Sequence, residues 1–177
     1  MPRSIFTKMS ILLQQCADTP GLPVDDLVKV VRDQELDAFK VFKRVNDRIE
    51  QGYCQPATIR RTLYLLADLG LVAVDPVCTL TSAGEGALAD YQRRLGLAVT
   101  DHLSRSYGVS LAAIQQAIAD IKMRNAAAVP SAEQIFNELQ ARDAISQPIS
   151  EQRFATLLNL LGRCRILQWF IKKYYWA

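Results

Sequence analysis

Residues 66–72 read Leu66-Ala67-Asp68-Leu69-Gly70-Leu71-Val72, and residues 80–88 read Leu80-Thr81-Ser82-Ala83-Gly84-Glu85-Gly86-Ala87-Leu88. Gly70 is typical of the position that follows a helix, because glycine adopts the left-handed backbone conformation without a steric penalty. Residues 71–74 and 77–80, which are apolar except for Thr79, indicate two short strands with a proline-containing turn between them. These segments therefore predict a helix that ends before Gly70 and a small β-hairpin directly after it.

A helix is predicted on each side of this hairpin. The preceding helix covers residues 56–69, and its first residue is a proline, which suits the first helical position. After the hairpin, Ser82 and Glu85 can form a capping box. This pattern predicts a helix over residues 82–95, with Gly96 at its end.

Three more helices are predicted before residue 52. The first covers residues 4–17 and is followed by a break rich in proline and glycine at 19–23. A short helix follows, with Val24, Leu27 and Val31 facing inward. A longer helix is predicted from residue 33 or 34 to about residue 51, because apolar side chains recur at helical intervals at Phe39, Phe42, Val45 and Ile49.

The order of these elements is that of a winged helix. The two quoted segments resemble the wing region of bacterial winged-helix regulators of the MarR and PadR type, which commonly show the patterns LxxLGLV and LTxxGxxAL around a short hairpin. The resemblance covers about residues 24–96 and implies a winged-helix fold with DNA binding as its function. This chain departs from the pattern of wings that grip phosphates, since it has no Arg or Lys between Leu71 and Leu80.

The C-terminal half predicts a second unit of the same plan. A helix is predicted at 111–124, a second one begins with a Ser131/Gln134 capping box, and a third has Ser150 as its N-cap. Residues 165–171 are predicted as a strand. The predicted fold class is mainly α with short β wings, as tandem winged helix-turn-helix units. The N-terminal domain covers 1–96 and the C-terminal domain covers 97–177.

Composition limits the classes of function. Hydrophobic residues make up 50% of the chain and charged residues 22%, with a net charge of +3, as in ordinary globular proteins. There is no run of 18 apolar residues and no pattern of a secretory signal, so we expect a soluble, cytoplasmic protein without a membrane partner. Phosphate-binding loops, nucleophile elbows and zinc-protease motifs are missing, which argues against an enzyme.

The cysteines and the histidine offer no obvious reactive site. The four cysteines are too far apart to form a local metal site, and we expect them to be reduced and mostly buried. They are Cys16, Cys54, Cys78 and Cys164. His102 is expected at the surface or as a capping residue, with nothing around it that completes a catalytic set. No catalytic residue, metal or cofactor is predicted.

Candidate DNA-binding residues lie in the N-terminal unit. In a winged helix the third helix presents its outer face to the major groove, and the preceding helix crosses the phosphate backbone. The predicted outer face of helix 56–69 consists of Thr58, Arg60, Arg61, Tyr64 and Asp68, of which the aspartate would repel phosphates. The predicted stripe on the preceding helix consists of Lys40, Lys43, Arg44 and Arg48. An ordinary solvated helix face is the alternative interpretation of both sets.

Further candidates lie near the C-terminus. The outer face of helix 150–162 has side chains of types that read base edges: Gln152, Thr156, Asn159 and Arg163. The tail then interleaves cations with aromatic rings: Arg165, Lys172, Lys173, Tyr174, Tyr175 and Trp176. One interpretation is a nucleic-acid platform on which rings stack and cations bind phosphates. The other is a tail that packs on its own core or on a second subunit.

Two functions follow from these patterns. The first is binding of double-stranded DNA, as a transcription regulator or as the DNA-contacting subunit of a larger machine. The alternative is a non-catalytic adaptor that forms a homodimer or docks on a protein partner through its aromatic tail.

Overall fold

The computed structural model describes the backbone of residues 4–45, 48–125 and 129–167. This part of the chain is mainly helical with short β-strands, as the sequence predicts, and the strands form two small antiparallel sheets. In chain order the elements are α1 (Ile5–Asp18), α2 (Val24–Asp33), a short 3-10 helix (Asp37–Phe39), β1 (Lys40–Val45), β2 (Arg48–Cys54), α3 (Pro56–Asp68), β3 (Val72–Ala73), β4 (Thr79–Leu80), α4 (Ser82–Ala89), α5 (Tyr91–Tyr107), α6 (Leu111–Arg124), α7 (Ala132–Ala141) and α8 (Glu151–Arg163).

The chain divides into two compact units, Met1–Tyr91 and Gln92–Ala177. The sequence places the boundary between residues 96 and 97, which lies inside α5. The boundary between the two units also lies within α5, of which only the first residue belongs to the N-terminal unit.

The core of the N-terminal unit forms around α1 and α3. Met9 and Leu12 of α1 and Ile59, Leu63 and Leu66 of α3 are all fully buried. Their spacing of three or four residues places each set on one helical face. Helix α3 packs on both α1 and α2, so a single face of α3 is covered by protein.

A bridge ties the link between α1 and α2 to the hairpin that follows α3. The backbone N–H of Cys78 donates to the carbonyl of Leu22 at 2.7 Å, and the N–H of Gly21 donates to the carbonyl of Cys78 at 3.0 Å. Cys78 lies directly before β4, which pairs antiparallel with β3. The link between α1 and α2 therefore adds a third segment beside this small sheet.

The segment predicted as a helix up to residue 51 is instead a β-hairpin. Strands β1 and β2 pair antiparallel, with Lys40 opposite Cys54, and the register shifts between Val41 and Lys43. Phe39 lies in the 3-10 helix, Phe42 and Val45 lie in β1, and Ile49 lies in β2, so the helical spacing of these apolar residues arises across three separate elements. The helical prediction is wrong, and the basic residues assigned to it lie on a hairpin.

Helix α4 has a different N-cap from the predicted one and ends earlier, at Ala89. Its N-cap is Thr81, whose Oγ1 accepts the N–H of Gly84 at 3.1 Å and donates to the carbonyl of Gly70 at 2.7 Å. The predicted N-cap, Ser82, is the first helical residue. Gly96 does not end this helix but lies buried within α5, where a Cβ atom would be 3.0 Å from side-chain atoms of Cys164 and Ile166. This glycine permits close packing rather than a helix end.

In the C-terminal unit, α6, α7 and α8 each begin at a serine N-cap. The side chains of Ser110, Ser131 and Ser150 each accept an N–H from the first turn of their helix, and the predicted capping box at Ser131 is confirmed. Helix α7 packs on both α6 and α8. The ring centroids of Phe136 in α7 and Phe154 in α8 lie 5.4 Å apart.

The residues after α8 do not begin with the predicted strand. Arg165 has a φ of 60°, and the N–H of Ile166 returns to the carbonyl of Leu161 at 3.0 Å. A positive φ is incompatible with the extended conformation of a strand, so residues 165–167 form a turn that closes α8. The remainder of the predicted strand, residues 168–171, lies outside the described residues.

Candidate nucleic-acid interface

Helix α3 exposes the face that the sequence assigns to DNA. Arg60 and Arg61 are exposed, and Tyr64, one turn further along, is 50% exposed. Asp68 lies exposed at the end of the same face. Thr58 is half-buried, and its hydroxyl donates to Oε1 of Gln55 at 3.4 Å. The face therefore combines two guanidinium groups and a phenol, with a carboxylate at its C-terminal end.

Arg60 is held by a carboxylate from α2. Its Nη2 and Nε lie 2.8 Å and 3.3 Å from the same oxygen, Oδ1 of Asp25. The two side chains are 45% and 80% exposed. Arg61 has no hydrogen-bond or ion-pair partner within the part of the chain that the structure describes. The two adjacent arginines thus differ, since one is paired in the isolated protein and the other faces solvent.

The predicted basic stripe does not form one helical face. Lys40 lies at the start of β1, and its side chain is only 15% exposed. Its Nζ is 3.3 Å from Asp37 Oδ1 and 3.9 Å from Glu35 Oε2. Lys40 is therefore engaged in local ion pairs and is poorly placed to reach a phosphate.

The other three stripe residues occupy positions along the hairpin. Lys43 pairs in register with Glu50, Arg44 with Ile49, and Arg48 with Val45. Their backbones belong to β1 and β2, and their side chains lie outside the described atoms. The hairpin that follows α3 carries no Arg or Lys, so the cationic hairpin of this unit is the one that precedes α3.

The candidate residues of the C-terminal unit lie along α8 and just after it. Gln152 and Arg163 are exposed, and Thr156 and Asn159 are half-buried. Thr156 donates to the carbonyl of Gln152 at 2.9 Å. Arg165 is exposed within the turn that closes α8, while Lys172, Lys173 and the aromatic tail lie outside the described residues.

A cluster that sequence reasoning missed joins α6 to α7. Arg142 contacts both Asp120 and Glu138, and Arg124 contacts Glu138 as well. The hydrogen bond from Arg142 lowers the pKa of Asp120, and the hydrogen bonds from Arg124 and then Arg142 lower the pKa of Glu138. In the sequence, the spacing of four residues between Glu138 and Arg142 is typical of an ion pair on a helix and could have indicated this contact. This cluster compensates two cations of the unit, so they add little to a basic surface.

The four cysteines are buried and unlinked, as predicted. Burial raises the pKa of Cys16 and of Cys164 to about 12, and it is also the main reason that the pKa values of Cys54 and Cys78 are raised. A thiol must ionise to act as a nucleophile, so none of the four is activated.

His102 is buried, whereas the sequence suggested a surface or capping position. It is 8% exposed, on the side of α5 that also buries Val99 and Leu103. Its Nδ1 lies 3.2 Å from Oγ of Ser106, and its ring meets the ring of Tyr107 edge-on with 5.4 Å between centroids. These contacts are those of a packed core residue.

Neither a metal site nor a membrane span is found in the described part of the chain. Within residues 4–45, 48–125 and 129–167, no three His, Cys, Asp or Glu side chains are grouped to hold a metal ion. None of the described helices has the length and apolar character that crossing a membrane requires. Comparison with known proteins finds no matching family model, curated protein or solved structure.

Proposed function

We propose that this chain binds double-stranded DNA with the exposed face of α3. The observation that carries the proposal is the division of α3 into two faces. Ile59, Leu63 and Leu66 are fully buried, while Arg60 and Arg61 are exposed on the other side. Arginine can donate two hydrogen bonds to the edge of guanine or to phosphate oxygens, and a solvent-exposed helix fits the major groove.

The element order supports a winged helix in the N-terminal unit. Three helices are followed by a two-stranded hairpin, and the bridge at Leu22 supplies the segment between the first and second helices that runs beside it. The hairpin β1–β2 is then an insertion between the second and third helices. In the C-terminal unit α6, α7 and α8 give the three helices of a second, tandem helix-turn-helix.

The proposed interface uses two elements of the N-terminal unit. Arg61 and Tyr64 would contact the groove from α3, and Arg60 would join them once its pair with Asp25 opens. The hairpin β1–β2 would add phosphate contacts, since its sequence has more cations than carboxylates. DNA binding of this kind serves a transcription regulator or a subunit of a larger nucleic-acid machine.

A charge-reversal pair with a matched control tests this proposal. The variant Arg60→Glu/Arg61→Glu should weaken binding to a mixed-sequence duplex by about tenfold or more at low salt, because both cations become repulsive. The control is Arg93→Glu/Arg94→Glu, which makes the same change at two adjacent exposed arginines of α5. Fluorescence anisotropy at two salt concentrations measures both. Equal affinities of the two double variants would remove α3 from the interface.

A protein–protein adaptor is the second candidate. Asp25 forms an ion pair with Arg60, which makes the exposed face of α3 less basic. Tyr53 and Tyr64 are 55% and 50% exposed, and exposed tyrosines are typical of protein interfaces. This function predicts no duplex binding at low salt and a molecular mass that rises with concentration. Static light scattering of the full chain and of a chain truncated before Lys172 measures the role of the tail in a homodimer.

A further inference from the structure

Asp25 occupies one of the edges of the Arg60 guanidinium group that could bind a phosphate. Nη2 and Nε form one edge of the guanidinium group, and both lie within hydrogen-bond distance of Asp25 Oδ1, at 2.8 Å and 3.3 Å. Carboxylates and phosphates present similar oxygen acceptors to arginine. A duplex that approaches α3 therefore meets Arg60 with this edge already engaged.

The pairing is specific to one of two neighbouring carboxylates. Asp25 and Asp26 are both exposed in the first turn of α2, where the helix dipole stabilises either negative charge. Only Asp25 contacts Arg60 in the described structure. The two aspartates thus have the same charge, lie on the same helix and are both exposed, but only Asp25 pairs with Arg60.

The pair is weak enough to open. Both side chains are substantially exposed to solvent, at 45% and 80%, and ion pairs of this kind change an equilibrium by about two- to fivefold. A duplex that offers Arg60 only a phosphate oxygen exchanges one acceptor for a similar one. A duplex that offers two acceptors, either two phosphate oxygens or a guanine edge, gains more from opening the pair.

We infer that Asp25 is an internal competitor of DNA for Arg60 and lowers the affinity of the chain for double-stranded DNA. This inference rests on the proposed DNA binding by α3. Every duplex that contacts Arg60 must first open its pair with Asp25.

The two aspartates provide the test. Asp25→Asn and Asp26→Asn each remove one negative charge from the same turn of α2, so both should strengthen binding through long-range electrostatics. Because Asp25→Asn also releases Arg60, its Kd for a mixed-sequence duplex should fall by about two- to fivefold more than that of Asp26→Asn at low salt. The difference should shrink as salt rises, since exposed pairs are screened.

An Arg60→Gln background separates competition from a structural effect. With Arg60 absent, Asp25→Asn and Asp26→Asn should change the Kd equally, because no guanidinium remains to release. Equal effects in the chain that retains Arg60, or weaker binding by Asp25→Asn, would overturn the inference.

The results that would refute the inference differ from those that would refute the proposed DNA binding. If Arg60→Glu/Arg61→Glu weakens binding while the two aspartate variants behave alike, DNA binding stands and the competitor role falls. If neither the unaltered chain nor any aspartate variant binds the duplex at low salt, both are refuted.

Discussion

The substitution Gly84→Ala tests how α4 packs against the residues that follow α3. A Cβ atom at this position would overlap the carbonyl oxygen of Leu71 and lie 3.1 Å from its carbonyl carbon. The obstacle is backbone, so it cannot rotate away, and we expect a cost near the upper end of overpacking, about 3 kcal/mol. Alanine regains about 1 kcal/mol of helix propensity relative to glycine. The net loss of unfolding free energy is therefore about 2 kcal/mol.

The assay must report on the N-terminal unit alone, since the chain has two compact units that need not unfold together. Cys78 is fully buried in the first unit, and Cys164 is buried in the second. Pulsed alkylation along a urea gradient, followed by mass spectrometry of the peptides, gives a separate unfolding curve for each thiol. A loss of about 2 kcal/mol should move the Cys78 midpoint down by about 1.5 M urea.

Gly70→Ala is the matched control. Gly70 has a φ of +69° and no atom within 4 Å of the added Cβ, so alanine costs only the left-handed conformation, about 1 kcal/mol. The Cys78 midpoints should therefore rank the unaltered chain first, Gly70→Ala second and Gly84→Ala last. A midpoint for Gly84→Ala at or above that of the unaltered chain would refute the close contact between α4 and Leu71.

Three further predictions concern the core, the ion-pair cluster and the thiols. Phe154→Ala should destabilise the C-terminal unit by about 3–5 kcal/mol, read from the same alkylation curves, because Phe154 is fully buried. Asp120 and Glu138 have lowered pKa values in the folded chain, so their stabilisation is present above their ordinary pKa values and is lost as pH falls through the lowered ones. Arg142→Gln should thus reduce stability at neutral pH and make little difference in acid, as thermal unfolding at several pH values would show. Cys16, with a pKa raised to about 12, should resist iodoacetamide at pH 8 in the folded chain, and rapid labelling there would contradict its burial.

Helix ends with local chemical signals could be predicted from the sequence. Helices α7 and α8 begin after Ser131 and Ser150, because a serine side chain satisfies a first-turn N–H wherever the helix packs. Helix α3 begins at its proline and ends before Gly70 for similarly local reasons. These features depend on a few neighbouring residues, so they appear directly in the sequence.

Features that depend on distant residues could not be predicted. Gly96 resembles a helix end until Cys164 and Ile166 are seen beside it. The helical spacing of the apolar residues between Phe39 and Ile49 gives no indication that β1 pairs with β2. At the candidate interface, the exposed face of α3 followed from helical periodicity, but Asp25 lies on another helix, and no local pattern connects it with Arg60.

The β1–β2 hairpin also affects the path by which the N-terminal unit folds. Residues 34–55 separate α2 from α3, and closing a loop of that length before the two helices pack carries an entropic cost. Strand pairing brings Lys40 opposite Cys54, so a hairpin that forms first draws the ends of most of this segment together. The two helices then meet across a much shorter effective connection.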